Sequence, residues 1–198
     1  MRKFLALSIS ILGAMVAISA SAASDPDYRP SNNPLEDRSC FAVNRAYEKM
    51  HNSGRYSTNI YALMPDGKMA LFATIRAIDA FIYYQADGSD WRKHSRIVRT
   101  QFDERTHLPI FTGCFETGLE RTDGKLAVHY YALWSRLTWK GPIEIWVDRS
   151  SGEMIKTLTH FDSHPDDFPF PVAIQTMDYD RDHAIKPTVS NEAAFGAR

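Results

Sequence analysis

Between Cys114 and Lys156 the chain alternates apolar and polar residues, and glycine turns interrupt the alternation at short intervals. Leu126, Val128, Tyr130, Ala132 and Trp134 share one face of a strand that leaves the Asp123-Gly124 turn. Ile143, Ile145 and Val147 alternate with Glu144, Trp146 and Asp148, and Ser150-Ser151-Gly152 turns the chain back into Met154–Thr159. Side chains of a strand point alternately to its two faces, so this pattern predicts antiparallel hairpins with one buried face.

The same period runs through the preceding segment. Tyr56–Met64 reads as a strand, Pro65-Asp66-Gly67-Lys68 as a turn, and Met69–Arg76 as the returning strand. On that return Met69, Leu71, Ala73 and Ile75 fall on one side. Phe81–Gln85 and Trp91–Arg96 are two further strands around an Asp-Gly-Ser-Asp turn, and Arg99–His107 is a short helix or a loop. Ahead of the strands, Ala42 or Val43, Ala46, Tyr47 and Met50 form an apolar stripe at helical spacing. This predicts an amphipathic helix from Cys40 to Met50, capped by Ser39 and ended by Asn52-Ser53-Gly54. Near the end, Gln175–Tyr179 and Ala184–Lys186 suit a last edge strand that stops at Pro187. One early helix followed by many sequential strands implies an α+β fold with the helix on one face of an antiparallel sheet.

The N-terminus has a different character. Arg2 and Lys3 precede an apolar run from Phe4 to Ile18, and Ala20-Ser21-Ala22 offers a small-residue cleavage site. We expect residues 1–22 to be a cleaved signal peptide, leaving a chain that does not span the membrane and a periplasmic location. Residues 23–38 contain three prolines and read as an extended leader, 39–187 as a single domain, and 188–198 as a flexible tail. With 44% hydrophobic residues in 198, the chain can build one sizeable core. Removing Arg2 and Lys3 reduces the 23 basic residues to 21 against 24 acidic ones, a net charge of −3. That balance gives no drive toward nucleic acid.

Two cysteines in an exported chain are expected to pair, Cys40 with Cys114; two buried free thiols are the alternative. His160, His164 and His183, with Asp166 and Asp167, are the residues suited to a metal ion. Pro165 and the Phe-Pro-Phe-Pro run work against the helix that an i, i+4 histidine pair needs, so a polar loop is the plainer reading and no metal or other cofactor is assigned. The basic run Arg92, Lys93, His94, Arg96 and Arg99 suits a charged sheet edge, or contact with lipid phosphates or an acidic partner. Ser135, His129 and Asp148 supply the residue types of a hydrolase, but no glycine elbow surrounds a serine, and we expect no enzyme.

Aromatic residues gather on the expected strands. Tyr61, Phe72, Phe81, Tyr83, Tyr130, Trp134 and Trp146 are the candidates for lining an apolar ligand site, if the sheet curves and its concave face is open. The same residues would otherwise be ordinary core and cross-strand pairs.

The order of motifs resembles a known family. A signal peptide and a helix precede I-Y-A-L-M-P-D-G-K-M-A-L-F-A-T, then D-G-S-D-W-R-K, then G-L-E-R-T-D-G-K-L-A-V-H-Y-Y. There follow I-E-I-W-V-D-R-S-S-G-E-M-I-K and M-D-Y-D-R-D-H-A-I-K-P. This resembles exported proteins of the LolA-like type, the periplasmic lipoprotein carriers and their relatives, over most of residues 40–187. The two cysteines, the proline-rich leader and the H-F-D-S-H-P-D-D-F-P-F-P segment depart from the dedicated carrier. The resemblance implies a strongly bent antiparallel sheet, an open half-barrel, packed on the N-terminal amphipathic helix; a cystatin-like fold is the structural rival. It implies a non-enzymatic carrier whose partner is a hydrophobic or lipid-like small molecule. An envelope structural or protein-interaction module, and a His/Asp metal-binding protein, are the alternatives.

Overall fold

The computed structural model describes residues 36–86, 88–97, 99–162 and 168–189, all within the compact unit Asn33–Arg198. The expected signal peptide, most of the leader, His164, Asp166, Asp167 and most of the tail lie outside them.

A short 3₁₀ turn, Arg38–Cys40, leads into the helix α1, Phe41–Asn52. The expected Ser39 cap is absent: α1 has Cys40 at its N-cap with no side-chain cap bond. Asp37 caps the 3₁₀ turn instead, its Oδ1 accepting from the Ser39 backbone N–H at 2.9 Å and its Oδ2 from Gly113 N–H at 2.7 Å. Those bonds hold the Asp37 carboxyl below its ordinary range, the Gly113 contact foremost. The Ser39 hydroxyl is free to accept from Cys114 N–H at 3.1 Å, and Cys40 and Cys114 form a disulfide. At the other end Lys49 Nζ donates to the Ser151 carbonyl at 2.6 Å. Val43, Ala46, Tyr47 and Met50 are buried, as the helical stripe requires.

Among the described residues nine strands form one antiparallel sheet. They are β1 (Arg55–Leu63), β2 (Met69–Ile78), β3 (Phe81–Ala86), β4 (Arg92–Ser95), β5 (Phe111–Thr122), β6 (Lys125–Arg136), β7 (Trp139–Asp148), β8 (Met154–His160) and β9 (Val172–Asp178). Their order is β4-β3-β2-β1-β9-β8-β7-β6-β5, so the sheet is open and β4 and β5 are its edges. Two meanders, one from each half of the chain, are joined by β9. The expectation of an edge position for the last strand is therefore corrected: β9 pairs with β1 on one side and β8 on the other, at the centre. Ala184–Lys186 is not a strand.

Register decides which side chains meet the helix. Tyr56 on β1, Ala77 on β2, Tyr130 and Ala132 on β6, and Ile143, Ile145 and Val147 on β7 form one core with Val43, Tyr47 and Met50. We call this the inner face. A bulge between Ile60 and Tyr61 leaves Phe72 without a partner, so β2 does not keep one face along its length. Ala73 is 2% exposed, whereas Met69 and Leu71 are 60% and 56% exposed, which corrects their expected grouping on one side.

A second inner cluster closes one end of this face. Phe168 and Phe170, from the Phe-Pro-Phe-Pro run, pack with Phe72 at 4.8 and 6.0 Å between ring centroids. Trp139 and Phe161 meet at 5.6 Å. The chain passes so close here that a Cβ on Gly141, at φ 157°, would stand 1.8 Å from the His160 carbonyl oxygen. Only glycine serves at that position.

A cavity between the helix and the inner face

A cavity of about 280 Å³ lies between α1 and the sheet. The helix contributes Tyr47, Met50 and His51, and the first meander Tyr56, Thr58, Ile75 and Ile82. Phe111, Trp134, Ile143, Met154 and Met177 complete its apolar wall, while Thr157, Thr159, Gln175, Arg99 and Arg136 add polar groups. The polar residues of β8 and β9 come here because they hold the inward register: Thr157 is paired with Gln175, between inward Thr159 and Met177.

Three titratable groups on the wall are shifted by their surroundings. Burial, then the charges of Arg99 and Arg96, pushes the His51 imidazole down to about 3, so it is neutral at physiological pH. Its Nδ1 lies 3.4 Å from the Tyr56 hydroxyl, and Arg96 Nη2 donates to the His51 carbonyl. Burial pushes the Tyr47 phenol up to about 12 and raises that of Tyr56. None of these shifts supplies a base or a nucleophile poised near neutral pH.

The two arginines converge on one carboxylate. Arg99 Nη1 and Arg136 Nη2 donate to Glu104 Oε1 at 3.2 and 3.4 Å. The loop carrying Arg99 and Glu104 is held by Asp103, 2% exposed, which accepts from Arg105 N–H, Thr106 N–H and the Thr106 hydroxyl. Asp103 also accepts from Leu137 N–H at 2.7 Å, beside Arg136, and these bonds hold its carboxyl down at about 2.

Of the seven aromatic candidates, Phe72, Tyr130 and Trp134 are on the inner face, and of these Trp134 lines the cavity. Tyr130 is core, and Phe72 belongs to the aromatic end cluster. The other four face outward. Trp146 stacks on His129 at 4.4 Å, lies under Lys156 Nζ at 4.5 Å, and donates from Nε1 to Glu120. Tyr61 pairs with Leu71 and with Ile174, whose β8 partner Leu158 packs against the Trp146 cluster. Phe81 lies under Lys93 Nζ at 4.2 Å. Tyr83 stands opposite Arg76, which reaches Trp91 and the Ile185 carbonyl. The expected concave placement of Trp146 is thus corrected by the alternation of its own strand, which turns Ile143, Ile145 and Val147 inward and Trp146 outward.

His160 is exposed at the end of β8. His183 is engaged by Asp178, 2.6 Å from Nδ1, which raises its pKa. Among the described residues no three His, Cys, Asp or Glu side chains are grouped to hold a metal ion, and no helix is long and apolar enough to cross a membrane.

Arg136, Gln175, Thr157 and Thr159 escape a search for aromatic stripes. The signal for the last three is polarity in the inward register of strands that otherwise bury apolar residues.

No family model matches the chain, and no curated protein matches it. Among solved structures it is similar to the lipoprotein LppX of Mycobacterium tuberculosis, at 8% identity over 71% of this chain and 92% of that one, with a TM-score of 0.39. It is similar to LprF of Mycobacterium bovis, at 9% identity over 77% and 96%, with a TM-score of 0.41. It is similar also to a LolA superfamily protein of Nitrosomonas europaea, at 8% identity over 70% of this chain and 91% of that one, with a TM-score of 0.29.

Proposed function

We propose that this is a non-enzymatic binding or carrier protein of the cell envelope, which shelters an apolar or lipid-like molecule in the cavity beneath α1. The observation that carries the reading is that cavity: a partly open, mainly apolar space between helix and sheet, bordered by the core residues Tyr47, Met50, Tyr56, Ile143 and Met177. Its 280 Å³ falls just below the range of ligand sites, about 300 to 1,000 Å³. A single acyl chain or similarly slender molecule suits that volume.

The sheet is read as an open half-barrel. Laid flat, nine strands would hold their edges about 38 Å apart, at about 4.8 Å per strand. Yet Cys114 on edge strand β5 is bonded to the start of α1, and Arg96, just past edge strand β4, reaches its last turn. A 12-residue helix is only about 18 Å long, so a bent sheet accounts for both contacts. The disulfide supports export to an oxidising compartment, in keeping with a signal peptide and a periplasmic location. The alternative, a protein-interaction module, draws on Phe115 and Leu133, 55% and 52% exposed along the β5–β6 edge.

Uptake of a fluorescent fatty acid tests the proposal. Wild-type protein should bind it saturably, and Thr157→Trp, which fills the cavity, should weaken binding at least about tenfold, as loss of one buried apolar contact of about 1.4 kcal/mol would. Phe81→Ala, on the outer face, should leave it unchanged. No uptake by the wild type, or equal uptake by Thr157→Trp, would refute the reading.

A further inference from the structure

We infer that the ligand is an amphiphile with an anionic headgroup, held by Arg99 and Arg136 with its chain in the apolar part of the cavity. This rests on the apolar-ligand reading above. Among the described residues, the cavity wall contains two arginines and no carboxylate. Around it, His51 is neutral, and the Tyr47 phenol beside Arg99 keeps its proton at any physiological pH. The nearby acids are occupied: Glu48 Oε1 accepts from Gln101 N–H at 3.1 Å, and Asp103 is saturated by the loop and by Leu137.

Among the described residues that leaves Glu104, a carboxylate shared by the two guanidiniums through the same oxygen. The Nε atoms of Arg99 and Arg136 are buried and have no hydrogen-bond partner among the described residues. A guanidinium offers five donors in a planar fork that matches a carboxylate or a phosphate. A buried donor left unpaired is costly, so an incoming anion gains bonds that the described protein groups do not supply. Glu104, 39% exposed, can swing toward solvent as the headgroup enters.

Calorimetric titration with three ligands of equal chain length, dodecanoate, dodecyl phosphate and dodecanol, tests this on the unaltered protein. At least one anion should bind on the order of ten- to a hundredfold more tightly than dodecanol, the scale of a charged hydrogen bond. The tighter of the two anions identifies a carboxylate or a phosphate headgroup. Arg136→Gln and Arg99→Gln should each lower the affinity for the preferred anion by a larger factor than the affinity for dodecanol, and so erode that preference. Equal affinity for all three ligands would overturn the inference and leave the apolar-carrier reading standing. Failure of all three to bind would overturn both.

Discussion

Replacing Cys40 and Cys114 together by alanine should lower the melting temperature by on the order of 10 °C. The bond closes a loop between residues 74 apart in sequence. In the loop-entropy account, cutting such a loop restores about 4 kcal/mol of denatured-state freedom. For a domain of this size each kcal/mol moves the midpoint by about 2–4 °C. The loss falls on one structural joint, where Asp37 and Ser39 also hold Gly113 and Cys114. Loosening it detaches the start of α1 from edge strand β5, so ligand uptake should fall with stability. Calorimetric melting of oxidised wild type against the double variant measures it, and midpoints within about 2 °C would show that the bond constrains little.

The second large effect concerns pH. His51 has an ordinary pKa of 6.5, lowered to about 3 in the fold by burial and by Arg99 and Arg96. The unfolded chain therefore binds a proton that the folded chain refuses. Stability is full above 6.5 and is lost as pH falls toward 3. One group shifted this far removes about 3 kcal/mol between pH 6.5 and 4. Carboxylates titrate in the lower part of the same window, so the informative comparison is wild type against His51→Gln, which cannot take the proton. Urea unfolding should find the two similar at pH 7 and the variant the more stable by about 3 kcal/mol at pH 4. Parallel curves would mean that His51 is protonated without penalty in the fold.

Much of the architecture is written in local pattern. The apolar stripe of α1 and the Asp-Gly turns mark elements whose observed ends lie within a few residues of those expected. Strand order is another matter. The central place of β9 depends on pairing with β1 and β8, far apart in sequence, and no local signal distinguishes a central strand flanked by proline from an edge one. The bulge at Phe72 likewise redirects Met69 and Leu71, which strict alternation groups with Ala73 and Ile75.

The site was less legible than the fold for a physical reason. Aromatic rings suit filled cores and outer faces as well as ligand walls, so their abundance on strands did not locate the cavity. Trp146 and Trp134 look alike in composition and face opposite ways. Thr157, Thr159 and Gln175 were the sharper signal, because polar side chains in an inward register need a partner, water or a ligand.

Photo-crosslinking with a diazirine-bearing fatty acid, followed by peptide mapping, locates the bound chain. Adducts are expected on cavity residues such as Met50, Trp134, Met154 and Met177, competed by unlabelled fatty acid. Adducts confined to the outer face, at Tyr61, Phe81 or Trp146, or labelling that no competitor reduces, would contradict binding in the cavity.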